Sequence, residues 1–174
     1  MPRVVGRTAT AVDTKRGIAA GIRWNRESML AAAANVCGSD EIALITRLLD
    51  DVAAHGGRMW WGNGKTAGFT GWYMIDGKDT PVWNINISDV PGRGRLYFTV
   101  TEYTTRHGAN RAGQLADALL QITPVAAQVG KVKERGWRGW VGLPLAAAPQ
   151  WSERIDAAIA TAAAAESITG SSSS

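Results

Sequence analysis

The chain has 174 residues, of which 45% are hydrophobic and 20% are charged. These values are typical of a soluble globular domain and exclude a wholly disordered or fibrous chain. One cysteine, Cys37, and two histidines exclude an internal disulfide and a Cys/His zinc site within one copy. No apolar run reaches the roughly 18 residues of a membrane span, and the N-terminus lacks the apolar stretch of a secretory signal. We therefore expect a cytoplasmic protein with no membrane partner.

The net charge of +4 is concentrated at the N-terminus. Residues 1–38 contain six Lys or Arg and two Asp or Glu, so the remaining residues are neutral in sum. Basic segments of this kind commonly contact phosphate backbones or acidic surfaces. A solvated leader that keeps the protein soluble is the alternative interpretation.

Taken in chain order, residues 1–24 predict an extended arm, because glycines interrupt any helix there. Asn25 is a good N-cap for a first helix over RESMLAAAANV, with Gly38 as its stop. Ser39 is then the predicted N-cap of a second helix with apolar residues at spacings of three and four. That helix ends at Gly56-Gly57.

The centre of the chain, from Arg58 to Tyr103, predicts a meander of about four strands, because aromatic and β-branched residues alternate with turn sequences. Asp76-Gly77 is the strongest hairpin signal. It joins a strand ending at Ile75 to a strand over residues 81–88, and a further strand is predicted from Arg95 to Tyr103. Within these strands apolar residues alternate with Asn84, Asn86 and Tyr97, which predicts one buried face and one wet or polar face.

The last third of the chain returns to helical spacing. A helix is predicted over residues 109–122, with Pro124 as the point where it breaks or restarts and residues 125–135 as a candidate continuation. The segment from Trp137 to Leu145 predicts a strand whose glycines and proline suit a sheet edge. Pro149 is predicted to open a final amphipathic helix. The sequence contains no internal repeat.

Together these elements predict an α+β fold, an antiparallel meander sheet covered on one face by helices in the order αα-ββββ-α-β-α. We divide the chain into a basic N-terminal arm and helix (1–38), a single α+β domain (39–165) and a disordered polar tail (166–174).

The segment GGRMWWGNGKTAGFTGWYMIDGK, followed by a strand of LxFxV pattern, a helix and WVGLPL, resembles a group of uncharacterised bacterial domains. In those domains a helix ending near a glycine pair precedes a Trp/Gly-rich hairpin, and a Leu-Pro strand precedes the last helix. The resemblance covers residues 40–163, and it implies a fold rather than an activity.

Motifs for catalysis are weak. Gly64-Lys65-Thr66 ends like a phosphate-binding loop, but Met59 stands where that loop needs its first glycine. Cys37 lies at the end of an alanine-rich helix and is expected to be inert. His107 could act as a base, yet no spacing selects a partner for it. We predict no catalytic residues, no metal site and no cofactor.

The chain contains eight tryptophans and two phenylalanines, which is a large excess of tryptophan. Exposed rings could stack on nucleobases while cations hold phosphates. Alternatively the rings fill the core, and we expect about half to two-thirds of them to do so. Since neighbouring residues of a strand point to opposite faces, Trp60 and Trp61 are expected to lie in different environments.

The sequence favours a non-enzymatic binding module that contacts nucleic acid or an acidic protein through exposed aromatic rings and cations. A second basic cluster, which runs into Trp137 and Trp140, supports this hypothesis. The predicted binding residues are Arg58, Trp61, Lys65, Trp72, Lys131, Lys133, Arg135 and Arg138.

Two alternatives stay open. One is an enzyme that binds a small molecule in a pocket near Trp72, Asp76 and His107. The other is a structural protein that assembles, as a homo-oligomer or with another protein, through the N-terminal arm and its helix, which carries Met29, Leu30 and Val36.

Overall fold

The computed structural model describes residues 23–164. Within that range five α-helices and five strands follow the order αα-ββββ-αα-β-α, which confirms the predicted α+β class. The helices are α1 (Arg26–Ala34), α2 (Ser39–Ala54), α3 (Val100–Leu119), α4 (Thr123–Glu134) and α5 (Ser152–Ala163), and the strands are β1 (Arg58–Trp61), β2 (Ala67–Ile75), β3 (Lys78–Ile87), β4 (Arg95–Phe98) and β5 (Val141–Pro144). The predicted arm up to residue 22 and the polar tail lie outside the described residues.

The five strands form one antiparallel sheet in the order β1-β2-β3-β4-β5. The predicted hairpin turn is confirmed: Asp76 and Gly77 have φ angles of 48° and 71°, the positive values that a two-residue turn of type I′ requires. Strand β5 lies at the sheet edge as predicted, although it begins at Val141 and not at Trp137.

Strand β4 is shorter than predicted, so the expected strand through Tyr103 is wrong beyond Phe98. At Thr99 the chain leaves the sheet, since its hydroxyl donates to the Pro81 carbonyl at 2.6 Å. Helix α3 starts at the next residue and buries Val100 and Tyr103, which are three residues apart on one helical face. Tertiary burial therefore overrides the strand propensity of this segment.

Two helices, and not one continuous helix, separate β4 from β5. Helix α3 is kinked at Gly108, where φ is 82°, and ends at Leu119. Helix α4 then begins with Pro124 in its first turn. A backbone N–H at this position has no acceptor within the helix, so proline removes no helical hydrogen bond there.

Both predicted helix starts at the N-terminal side lie within one residue of the observed ones. Asn25 caps α1 through a reciprocal pair of hydrogen bonds with Ser28, as expected for a capping box. For α2 the N-cap is Gly38 and not Ser39, because Glu41 accepts the Gly38 N–H at 2.7 Å.

The helices bury one face of the sheet, as predicted. Helix α2 packs against β1 and β2, and α5 against β2 and β3. Trp83 is fully buried there, and its Nε1 donates to the Tyr73 hydroxyl at 3.0 Å. That hydroxyl donates to Asp51 of α2 at 2.7 Å, and burial raises the pKa of Tyr73. The indole, hydroxyl and carboxylate of these three residues are therefore paired.

Helix α1 belongs to the same core. Met29 and Ala33 are buried, and Leu30 and Val36 pack against the core while partly exposed. The apolar side chains that the assembly hypothesis assigns to a partner are thus in contact with the chain's own core.

Candidate functional site

The second face of the sheet is more exposed than the first, since Trp60, Met74 and Asn86 on it are exposed. Because successive residues of a strand point to opposite faces, this face carries alternate residues of each strand. These residues, which we call the open face, are Arg58, Trp60, Gly68, Thr70, Trp72, Met74, Asp79, Pro81, Asn84, Asn86, Arg95, Tyr97, Gly142 and Pro144. The predicted polar face of the meander is this surface.

The pair Trp60 and Trp61 behaves as strand geometry requires. Trp61 faces the helices, with its ring 5.9 Å from that of Phe69. Trp60 lies on the open face and is 49% exposed. The structure therefore places the predicted residue Trp61 on the helical side, and the ring available to a ligand is its neighbour.

Trp72 lies on the open face in contact with two arginines. The guanidinium of Arg58 is 4.4 Å from the ring centroid, and that of Arg106, from α3, is 5.4 Å away. Arg58 also binds Asp79 at 2.8 and 2.5 Å. Because Asp79 is the one carboxylate of the open face, this ion pair leaves the face with an excess of positive charge.

A groove of about 650 Å³ lies at the other end of the open face. Its lining residues are Asn86, Arg95, Tyr97, Gln128 and Trp140. The rings of Tyr97 and Trp140 meet edge to face with centroids 5.6 Å apart, and Arg95 lies 5.6 Å above Tyr97. Trp140 is 72% exposed. No acidic side chain lines this groove.

Gly142 makes room for the Tyr97 ring. A Cβ at position 142 would lie 2.5 Å from a ring carbon of Tyr97 and 2.6 Å from the Leu96 carbonyl oxygen. Only glycine lets the ring lie across β5 at this distance. The aromatic floor of the groove therefore depends on a residue that has no side chain.

A strained loop after α4 carries Trp140. Trp137 has a φ of 69°, a left-handed conformation that is costly for a bulky residue. The Thr101 hydroxyl stabilises the loop, since it donates to the Trp137 carbonyl at 2.9 Å and accepts the Gly139 N–H at 3.2 Å. Backbone strain held in place by such contacts is frequent at functional sites.

Gln128 fixes the groove wall to the sheet. Its amide accepts the Gly142 N–H at 3.0 Å and donates to the Gly142 carbonyl at 2.8 Å. The side chain thereby satisfies backbone groups on the outer edge of β5 and ties α4 to the groove.

The predicted basic cluster directly precedes Trp140, a residue of the groove, in the sequence. Lys131 and Lys133 are exposed in the last turn of α4, and Arg135 and Arg138 are exposed in the loop that leads to Trp140. Lys65, by contrast, lines a smaller groove of about 300 Å³ next to α1. Of the predicted binding residues, Arg58 and Trp72 are thus together on the open face, and Trp61 and Lys65 are not.

None of the five residues that line the groove is among the predicted binding residues. Asn86, Arg95 and Tyr97 are missed although the strand alternation places them on the polar face. Trp140 is missed because its position depends on the left-handed backbone at Trp137. Gln128 lies in a helix and carries no sequence signal of its role.

Two residues of the enzyme alternative, Asp76 and His107, are held by neighbouring side chains of the fold. His107 Nε2 lies 2.8 Å from the Thr80 hydroxyl, and its ring centroid is 5.0 Å from that of Tyr103. Burial together with the positive charges of Arg111 and Lys78 lowers the pKa of His107, against the opposing charge of Asp76. Asp76 is itself bound by Arg111.

Neither the thiol nor the carboxylates form an activated cluster. Burial and the neighbouring Glu41 raise the pKa of Cys37, which keeps it a thiol. Between residues 23 and 164 no group of three or more His, Cys, Asp or Glu side chains could hold a metal ion. In the same range no helix is long and apolar enough to cross a membrane.

No protein-family model, curated protein or solved structure matches this chain. The resemblance to bacterial α+β domains therefore stays a prediction, and the functional argument depends on the geometry of the open face.

Proposed function

We propose that this chain binds single-stranded nucleic acid on the open face of its sheet. The observation that carries the proposal is the presence of solvent-accessible rings and arginines on one sheet face whose single carboxylate is already paired. The proposed contact residues are Arg58, Trp60, Trp72, Arg95, Tyr97 and Trp140, with Lys131, Lys133, Arg135 and Arg138 as phosphate contacts at the groove end.

The rings provide stacking positions along one direction. Trp60, Thr70, Asn84, Tyr97 and Gly142 are successive cross-strand partners from β1 to β5. Five strands span roughly 19 Å from the first to the last. A single strand laid along this row would meet Trp60 at one end and Tyr97 with Trp140 at the other, and base stacking on such rings is tolerant of sequence.

The charges favour a phosphate backbone. Arg58 and Arg106 both lie over the Trp72 ring, and the exposed cations at the end of α4 and in the following loop precede Trp140 in the chain. An acidic protein would use the cations but leave the exposed rings without planar partners. For this reason we favour nucleic acid over an acidic protein.

Fluorescence anisotropy of a labelled 12-nucleotide single strand, measured between 50 and 200 mM KCl, tests the proposal. With about four phosphate contacts the affinity should fall on the order of 50-fold over this range. Competition by polyglutamate as strong as competition by unlabelled oligonucleotide would favour an acidic protein and overturn the proposal.

Substitutions locate the surface. Trp60→Ala and Trp140→Ala should each weaken binding by about 1–3 kcal/mol, the usual contribution of one stacked base. Leu120→Ala removes an exposed apolar side chain at the end of α3, and Arg154→Gln removes a cation from α5 on the covered side. Both controls should bind like the parent chain. Unchanged binding by the tryptophan variants would place the contact elsewhere.

A further inference from the structure

The groove beside Trp140 differs from the rest of the open face because it combines two rings with hydrogen-bonding groups that have no protein partner. Within residues 23–164, Arg95 forms no ion pair and the Asn86 amide makes no hydrogen bond to another residue. Arg95 and Asn86 are direct cross-strand partners, so their polar ends emerge side by side. The groove therefore offers specific recognition, whereas Trp60 and Trp72 offer only stacking and charge.

We infer that this groove accepts one guanine base of a bound single strand, an inference that rests on the proposed function. The guanidinium of Arg95 would donate to O6 and N7 of the base, the pair of adjacent acceptors to which arginine forms bidentate hydrogen bonds. One face of the base would stack on Trp140, the more exposed of the two rings. The groove volume of about 650 Å³ lies within the range of small-molecule sites.

The other bases fit the groove less well. Adenine presents its N6 amino group, a donor, where guanine presents O6, so that donor would face the donors of Arg95. Recognition of cytosine commonly uses a carboxylate that accepts from its N4 amino group, and no acidic side chain lines the groove. Thymine and uracil offer acceptors at O4 and O2, but the N3–H donor lies between them, so they lack an adjacent pair. Arg95 is thus the residue that should select guanine.

Gln128 cannot supply this selectivity. Both atoms of its amide are engaged by the backbone of Gly142. It acts as a positioning residue that holds the wall of the groove, and it should influence the affinity for every base alike.

The test uses thymidine nonamers with a single central guanine, adenine, cytosine or thymine, titrated into the full chain. We expect the guanine nonamer to bind about tenfold more tightly than the others. Replacing the guanine by 7-deazaguanine, which lacks the N7 acceptor, should remove most of this preference. Inosine, which keeps O6 and N7, should retain it.

Variants separate the role of Arg95 from that of charge. Arg95→Lys keeps the positive charge but loses the planar guanidinium that donates two parallel hydrogen bonds. The guanine preference should therefore fall below twofold, while the affinity for the all-thymidine nonamer changes less than threefold. Arg154→Lys, the matched change on α5, should leave the preference intact. Thermal melting checks that both variants fold.

Each outcome has a separate meaning. Binding of all four nonamers with equal affinity, or with adenine preferred, would overturn the guanine site and leave the proposed function standing. A guanine preference that persists in Arg95→Lys would overturn the assignment to Arg95. Failure of every nonamer to bind at low salt would overturn the proposed function itself.

Discussion

The two faces of the sheet use the same residue types for opposite purposes. On the covered face Trp83 is fully buried, and its indole N–H, the Tyr73 hydroxyl and Asp51 form a continuous chain of hydrogen bonds. Trp60 on the open face and Trp140 at its groove remain exposed, and Trp72 contacts two arginines. Aromatic rings on the first face therefore maintain the fold, and rings on the second are available for recognition.

The largest expected difference between the faces concerns tryptophan removal. Trp83→Ala should lower the free energy of unfolding by about 3–5 kcal/mol, because it empties a fully buried site. Trp140→Ala should change it by about 0.5 kcal/mol or less, as expected for an exposed side chain. Urea unfolding followed by circular dichroism measures both. Similar losses for the two variants would show that the open face is structural as well.

A smaller contrast concerns the tyrosine hydroxyls. Tyr73→Phe removes the acceptor of the buried Trp83 N–H and the donor to Asp51, which should cost about 1–3 kcal/mol of unfolding free energy. Tyr97→Phe, on the open face, should cost less than about 0.5 kcal/mol. The same unfolding experiment applies. Equal costs would contradict the assignment of Tyr97 to a ligand-facing role.

Glycine substitution probes the groove floor. Gly142→Ala should destabilise the chain by about 1–3 kcal/mol, since its Cβ would collide with Tyr97 and the Leu96 carbonyl. Gly130→Ala, in the middle of α4 where nothing lies within 4 Å of a new Cβ, should stabilise the chain by up to about 1 kcal/mol. If Gly142→Ala is neutral, the ring does not lie across β5.

The smallest expected effect is the pH dependence at His107, where α3 crosses the end of the sheet. Its folded pKa lies below the unfolded value of 6.5, so the unfolded chain binds the proton first as pH falls. The stability that neutral His107 supports is complete above pH 6.5 and is lost as pH falls through the folded pKa.

Unfolding in urea at several pH values between 7 and 5.5 should show this decrease, and His107→Gln should make it smaller. An identical slope in the variant would mean that other groups cause the effect. Nuclear magnetic resonance titration of the His107 ring gives the direction of the pKa shift independently.

Much of the fold can be predicted from the sequence because the local signals along the chain agree with one another. Asp76-Gly77 predicts the central hairpin, Asn25 marks the start of α1, and the alternation through Asn84 and Asn86 predicts a covered and a polar face. Beyond Phe98 this agreement fails. The burial of Val100 and Tyr103 in a helix depends on α5, where Tyr103 donates to the Ala162 carbonyl at 3.0 Å, and no local pattern contains that contact.

The candidate site is predicted less completely for a physical reason. Strand alternation predicts that Trp60 and Trp61 point to opposite faces of the sheet. Which of the two is exposed depends on the register of β1 against β2. Arg95 and Asn86 become neighbours only through pairing of β3 and β4. Trp140 reaches Tyr97 only because Thr101 holds the strained loop at Trp137.

The indole N–H signals of the eight tryptophans, recorded by ¹⁵N–¹H correlation spectroscopy during titration with a single-stranded oligonucleotide, test the division between the two faces most directly. Trp60, Trp72 and Trp140 should shift, whereas Trp61 and Trp83 should keep their positions. Shifts confined to Trp61 and Trp83, or no shift at any of the three open-face indoles while the oligonucleotide binds, would contradict the assignment of the open face as the binding surface.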